Sequence, residues 1–174
     1  LVRESRKGYG QAVLTGIAEA KRHRFEIVVI LDADLSNDPE DISTLIAPIT
    51  EEKADLVLGA RTRPEVKDNQ EPHQRFGNDL AIFLLKRITG YQFSDLAPFR
   101  AFRLHTILDL DMEDQSYGWN IEMQIKATRN QLRIQEIELP YHQRKAGQSK
   151  ISGNLRASLK AGVIILSTAL KYAK

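Results

Sequence analysis

Two aspartates one residue apart, Asp32 and Asp34, follow a continuous apolar run at 25–31 that is rich in β-branched residues. Such a run reads as a buried strand. On an extended chain, positions two apart point to the same side, so the two carboxylates are expected to converge just beyond the strand end. Paired hard oxygens beside solvent suit Mg²⁺ or Mn²⁺, which in turn neutralises a diphosphate. The same residue types also serve as a turn that caps the following helix, and both readings stand on the pattern alone. Asp38-Pro39-Glu40-Asp41 already supplies a capping acid, a first-position proline and carboxylates facing the positive helix end.

Further charged residues stand at element boundaries. Arg61 follows an apolar segment at 55–60, and Arg75 opens a helical pattern. A guanidinium gives bidentate, charge-assisted bonds to phosphate oxygens, although a solvated surface arginine is the commoner fate of either. Arg144, Lys145, Ser149 and Lys150 surround Gly147. That composition fits a loop closing over phosphates and equally a solvated linker. Asp95 and Glu122 stand among apolar residues. A carboxylate there is expected to have a raised pKa and to suit a general base, or else to be a turn cap and a core ion-pair partner.

The positioning elements follow from periodicity. Val13, Ile17 and Ala20 imply a helix after Gly8-Tyr9-Gly10, and Leu45, Ile46 and Ile49 a second one behind Asp38. The segment 61–72, with two prolines and no period, reads as a long loop. Phe76, Leu80, Phe83, Leu84 and Ile88 make a helical stripe that Gly90 ends. A strand is expected at 99–104 and a helix at 119–130. Leu132, Ile134, Ile137, Leu139 and Tyr141 then alternate with a one-residue slip near Gln135, which predicts a bulged antiparallel or edge strand. Leu1-Val2-Arg3-Glu4 is strand-like and does not begin with Met, so an N-terminal portion is expected to precede it. Alternating helices and apolar strands predict a three-layer α/β sandwich with a mostly parallel sheet and its ligand crevice at the carboxyl ends of the strands. Residues 1–151 are read as the catalytic unit and 152–174 as an amphipathic C-terminal helix with Arg156, Lys160, Lys171 and Lys174.

Composition excludes several alternatives. The net charge of +2 gives no reason to invoke nucleic acid, and the absence of cysteine rules out disulfides and thiolate catalysis. His23, His73, His105 and His142 show no zinc-ligand spacing. Neither a dinucleotide fingerprint nor a phosphate-loop motif occurs. The apolar run at 161–170 is too short to span a bilayer.

Taken together, Arg6-Lys7-Gly8-Tyr9-Gly10, the turn from Asp32 to Glu40, Gly59-Ala60-Arg61, Gln74-Arg75-Phe76-Gly77-Asn78, Asp95-Leu96-Ala97-Pro98-Phe99-Arg100-Ala101, Tyr117 to Gln124 and Arg144 to Gly153 resemble one family. It is the inverting family 2 glycosyltransferases of dolichyl-phosphate mannose synthase type. The resemblance implies a GT-A, nucleotide-diphospho-sugar transferase fold whose first two strands, which hold the nucleobase and ribose, are not among these residues. It implies metal-dependent transfer of a sugar from a nucleoside-diphosphate sugar to a lipid-linked acceptor such as a polyprenyl phosphate. By the same resemblance Asp32 and Asp34 hold Mg²⁺ or Mn²⁺. Lys7, Gly8, Asp32, Asp34, Arg144, Ser149 and Lys150 bind the donor; Arg61, Arg75 and Asn78 bind the acceptor; Asp34, Asp95 and Glu122 are the catalytic candidates. The expected setting is the cytoplasmic, inner face of a membrane, with the chain bound peripherally. A nucleotidyltransferase and a non-catalytic nucleotide-sugar or lipid-phosphate binding module are the rival readings.

Overall fold

The computed structural model describes residues 1–62, 72–142 and 155–172, with the backbone alone for 72–76 and 155–161. The segments 63–71, 143–154 and 173–174, with Arg144, Ser149 and Lys150 among them, lie outside the described residues.

Among the described residues four strands form one mixed sheet: β1 (Ile27–Ile30), β2 (Leu56–Ala60), β3 (Arg100–Arg103) and β4 (Ile134–Glu138), in the order β1-β3-β2-β4. β3 runs antiparallel to both β1 and β2, whereas β2 and β4 are parallel. Three strands therefore point one way. Their carboxyl ends share an edge with the amino end of the reversed β3, where Ile30 and Leu58 both pair with Arg100.

Helices cover both faces. On one side α2 (Ile42–Thr50) packs Leu45 and Ile49 against Val57, Phe99, Ala101 and Leu139. On the other, α1 (Tyr9–Arg22), α3 (Pro72–Thr89), α4 (Leu104–Asp109) and α5 (Trp119–Arg129) enclose the larger core around Leu56, Leu58, Phe102, Trp119, Ile121 and Met123. The C-terminal helix α6 (Leu155–Lys171) lies against α3 and α5 and buries Thr168 and Ala169. Among the described residues no helix is long and apolar enough to cross a membrane.

The cap foreseen at Asp38 forms: its side chain accepts from the Glu40 amide at 2.9 Å, and Pro39 opens a short 3₁₀ turn leading into α2. Gly90, at φ 74°, closes α3. Three expectations need correction. Residues 1–4 form no strand. Phe83, assigned to the buried stripe of α3, is 59% exposed, whereas Ala81 and Leu85 are buried. Among the described residues β4 sits at a sheet edge, one of the two expected placements, and its partner is parallel. It also carries no bulge, since residues 134–138 pair with 56–60 without interruption. The slip in its pattern has another cause: Leu132 and Ile134 pack into the larger core, Ile137 and Leu139 into the smaller one. A strand covered on both faces changes its apolar phase without changing its geometry.

Candidate active site

Strand β1 ends at Ile30, and the chain turns at Ala33 and Asp34 rather than continuing extended, so the two carboxylates are placed by a turn and not by strand alternation. Asp34 Oδ1 accepts from the Ser36 amide at 3.0 Å, which fixes this carboxylate, and Leu35 between them is left-handed at φ 59°. Asp32 and Asp34 are both half-buried, while Ser36 and Asn37 behind them are buried. The Ser36 carbonyl accepts from the His142 amide at 2.8 Å, tying the segment after β4 to this turn.

Beside it, Arg61 leaves β2 and meets Asp95, which precedes β3. The Arg61 Nε donates to Asp95 Oδ2 at 2.7 Å, Nη2 to Oδ1 at 2.8 Å, and the Arg61 amide to Oδ2 at 3.1 Å. The side chains are 18% and 4% exposed. Burial alone would raise the Asp95 pKa, but the Arg61 charge and hydrogen bonds outweigh it and hold the carboxyl below its ordinary value. The expected raised pKa at Asp95 is therefore reversed. Arg61 is opposed by the same burial and pushed above its ordinary value by Asp95. Its guanidinium also lies 5.2 Å from the centre of the Tyr141 ring.

The 94–97 turn is gripped from several elements. Glu136 of β4 accepts from the Ser94 amide at 3.1 Å, Asn78 Oδ1 of α3 accepts from the Leu96 amide at 3.2 Å, and Gln124 Nε2 of α5 donates to the Asp95 carbonyl at 3.2 Å. Arg100 Nη2 donates to the Leu96 carbonyl at 2.7 Å and also to that of Ala97.

A model of the family described as glycosyl transferase family 2 matches residues 1–110. The chain belongs to glycosyltransferase family 2. An uncharacterized glycosyltransferase of Mycobacterium tuberculosis is 35% identical over 161 residues, covering 92% of this chain and 72% of that one. The undecaprenyl-phosphate mannosyltransferase of Micrococcus luteus is 32% identical over 160 residues, covering 89% and 65%. The resemblance to lipid-phosphate glycosyltransferases read from the sequence is thus shared with named relatives. Glucosyl-3-phosphoglycerate synthase from Mycobacterium tuberculosis, solved with Mn²⁺ and uridine-diphosphate-glucose, superposes with a TM-score of 0.67 at 19% identity over 98% of this chain and 56% of that one. That likeness shows the GT-A fold, and the chain spans little more than half of the solved molecule.

In this glycosyltransferase chain the oxygen donors of Asp32 and Asp34 fit a hard divalent cation. Among the described residues no cluster of three or more His, Cys, Asp or Glu could hold a metal. Mg²⁺ and Mn²⁺ sites are commonly completed by water and substrate phosphate. The Asp34 carboxylate, oriented by the Ser36 amide, has the donor chemistry that such a site uses.

Lys7 is exposed. Gly8 and Gly10 face the 114–116 loop so closely that a Cβ on either would collide with a backbone carbonyl, of Gln115 and Asp114 respectively, and Gly10 and Gln11 donate to Ser116 and Gln115 there. Close backbone approach accounts for these glycines. Glu122 is fully buried. Its oxygens accept from the amides of Glu113 and Asp114 at 2.9 and 2.7 Å, from Tyr172 at 2.8 Å, and pair with Lys126 at 2.8 Å. These partners belong to the loop before α5, to α5 itself and to the end of α6. The Arg75 side chain lies outside the described set. Sequence reasoning gave no role to Tyr141, Gln124 or Arg100. The available signal was Arg100 itself, a charge inside the apolar stretch 96–102.

Proposed function

We propose that this chain transfers a sugar from a nucleoside-diphosphate sugar to a polyprenyl phosphate, with inversion at the anomeric carbon and with Mg²⁺ or Mn²⁺ as cofactor. The observation that carries the reading is the placement of the Asp32–Asp34 turn after β1 and of the buried Arg61–Asp95 pair after β2, both at the carboxyl-end edge of the sheet. The names of the Micrococcus relative and of the solved synthase with Mn²⁺ and uridine-diphosphate-glucose support lipid phosphate as acceptor and the metal as cofactor.

An acceptor phosphate oxygen attacks the anomeric carbon as the bond from that carbon to the donor's β-phosphate oxygen breaks. The nucleoside diphosphate leaves with the bonding pair. Asp32 and Asp34 would hold the cation, which would supply charge neutralisation for that leaving group. Because a phosphate acceptor is already anionic at neutral pH, no side chain need remove a proton, which agrees with an Asp95 kept ionised by Arg61. Arg61 gives its Nε–Nη2 edge to Asp95, which fixes the direction of the guanidinium charge on the acceptor side. Arg75 and Asn78 on α3 complete the acceptor side. Lys7, Gly8, Arg144, Ser149 and Lys150 complete the donor side, and Glu122 acts by holding α5 to its preceding loop. Catalysis then rests on orientation and fixed charge. Peripheral attachment to the inner face of a membrane is supported by exposed Val163 and Leu170, seven residues apart on α6, a spacing that puts them on one face of the helix.

The test is calorimetric titration of the intact protein with UDP-glucose and GDP-mannose, with and without Mn²⁺, for wild type and Asp34→Ala. Transfer to undecaprenyl phosphate is followed in parallel. Metal-dependent binding that is lost in the variant, and release of nucleoside diphosphate on transfer, are expected. Release of pyrophosphate, or donor binding indifferent to metal and to Asp34, refutes the proposal.

A further inference from the structure

Arg100 is the largest charged side chain in the interior, with 0% exposure, and among the described residues it forms no ion pair with a carboxylate. Its hydrogen bonds go to the carbonyls of Leu96 and Ala97 and, at 3.6 Å, to the Met123 sulfur, while its Nε has no partner. Trp119 lies under the guanidinium at 5.8 Å. Burial lowers its pKa; Tyr9, Asp95 and Asp32 act in the charge's favour and Arg61 against it. An apolar side chain among Met123 and Trp119 would serve stability better than an incompletely satisfied buried cation. What the charge accomplishes is local. It pins the two carbonyls that immediately follow Asp95, from the side of the sheet opposite α2.

We propose that Arg100 is a positioning residue of the transfer site. From beneath the sheet edge it holds the 95–97 turn, and through that turn the Asp95 carboxylate and the Arg61 guanidinium, without touching substrate. The proposal rests on the glycosyl-transfer reading above. Gln124 shares the task by holding the Asp95 carbonyl, and Asn78 by accepting from the Leu96 amide. One guanidinium nitrogen, Nη2, donates to two consecutive carbonyls and so fixes the turn in rotation as well as position. A lysine keeps the charge and N–H donors for these carbonyls; a methionine keeps only the volume.

The test compares Arg100→Lys and Arg100→Met in the intact, ¹⁵N-labelled protein. The first readout is hydrogen exchange at the Arg61 Nε–H, assigned by its loss in Arg61→Lys. The second is kcat and KM for transfer from GDP-mannose or UDP-glucose to undecaprenyl phosphate. Arg100→Met is expected to keep the wild-type circular dichroism, to accelerate Arg61 Nε–H exchange by about tenfold or more, and to lower kcat by roughly 10- to 100-fold with KM within about threefold, the pattern of lost orientation. Arg100→Lys recovers most of both. Gln124→Leu, a milder cut at the same turn, moves both readouts in the same direction and serves if Arg100→Met does not fold. Unchanged Arg61 protection in Arg100→Met, or equal behaviour of the Met and Lys variants, overturns the proposal. If the exchange pattern appears as expected but wild-type protein transfers no sugar, the positioning stands and the transfer reading fails.

Discussion

Replacing Arg61 by methionine keeps much of the side-chain volume and removes the cation that faces Asp95. The two charge centres lie roughly 4 Å apart, which corresponds to about 4 kcal/mol at an effective dielectric near 20. Removing one partner of a buried pair typically costs about 3–5 kcal/mol, because the other charge stays desolvated. Arg100 still acts on Asp95, so the lower part of that range, about 3 kcal/mol, is expected at pH 7. For a chain of this size that corresponds to a fall in Tm of about 6–12 °C. The dependence on pH has a definite sign. In wild type the folded Asp95 pKa is depressed, so its contribution is complete above the unfolded value of about 3.9 and is lost as pH falls through the folded value. In Arg61→Met burial acts with less opposition and the folded value rises, so the variant loses stability as pH increases through that value. Urea denaturation at pH 3.5, 5 and 7 should therefore show a difference between the two proteins that widens with pH. A difference below about 1 kcal/mol at pH 7, or one that is constant from pH 3.5 to 7, refutes the buried-pair account.

Arg133 and Asp55 share the same fork geometry, at 2.7 and 3.0 Å, at the opposite end of the sheet, but Arg133 is 55% exposed. Arg133→Ala is therefore expected to cost at most about 1 kcal/mol in the same urea assay, with the loss reduced further by 0.5 M salt, an ionic strength of roughly that size being enough to screen exposed charges. Gly10→Ala places a methyl group against the Asp114 carbonyl and should cost about 1–3 kcal/mol, read as a lower denaturation midpoint at unchanged slope.

The sequence alone determined most of the elements around the candidate site and where to look. An apolar run ending in Asp-Ala-Asp, an Asp-Pro helix opening and Gly90 after a helical stripe are local signals, and each is read correctly because the physics of strands, caps and left-handed residues acts within a few residues. The family was legible for a related reason: its motifs keep their order along the chain. Tertiary structure decided what one strand's neighbours do to it. The phase change in β4 resembles a bulge until both faces of the sheet are seen to be covered. Asp95 and Glu122 are similar as sequence, each a carboxylate among apolar residues. Arg61, 34 positions away, makes the first a buried ion pair; two loop amides, Lys126 and Tyr172 make the second an anchor. The sign of a buried carboxylate's pKa shift depends on the charge placed against it, and that placement is long-range. Arg100 shows the same limit, since its charge is plain in the sequence but its grip on the turn after Asp95 exists only once β3 and α5 are packed together.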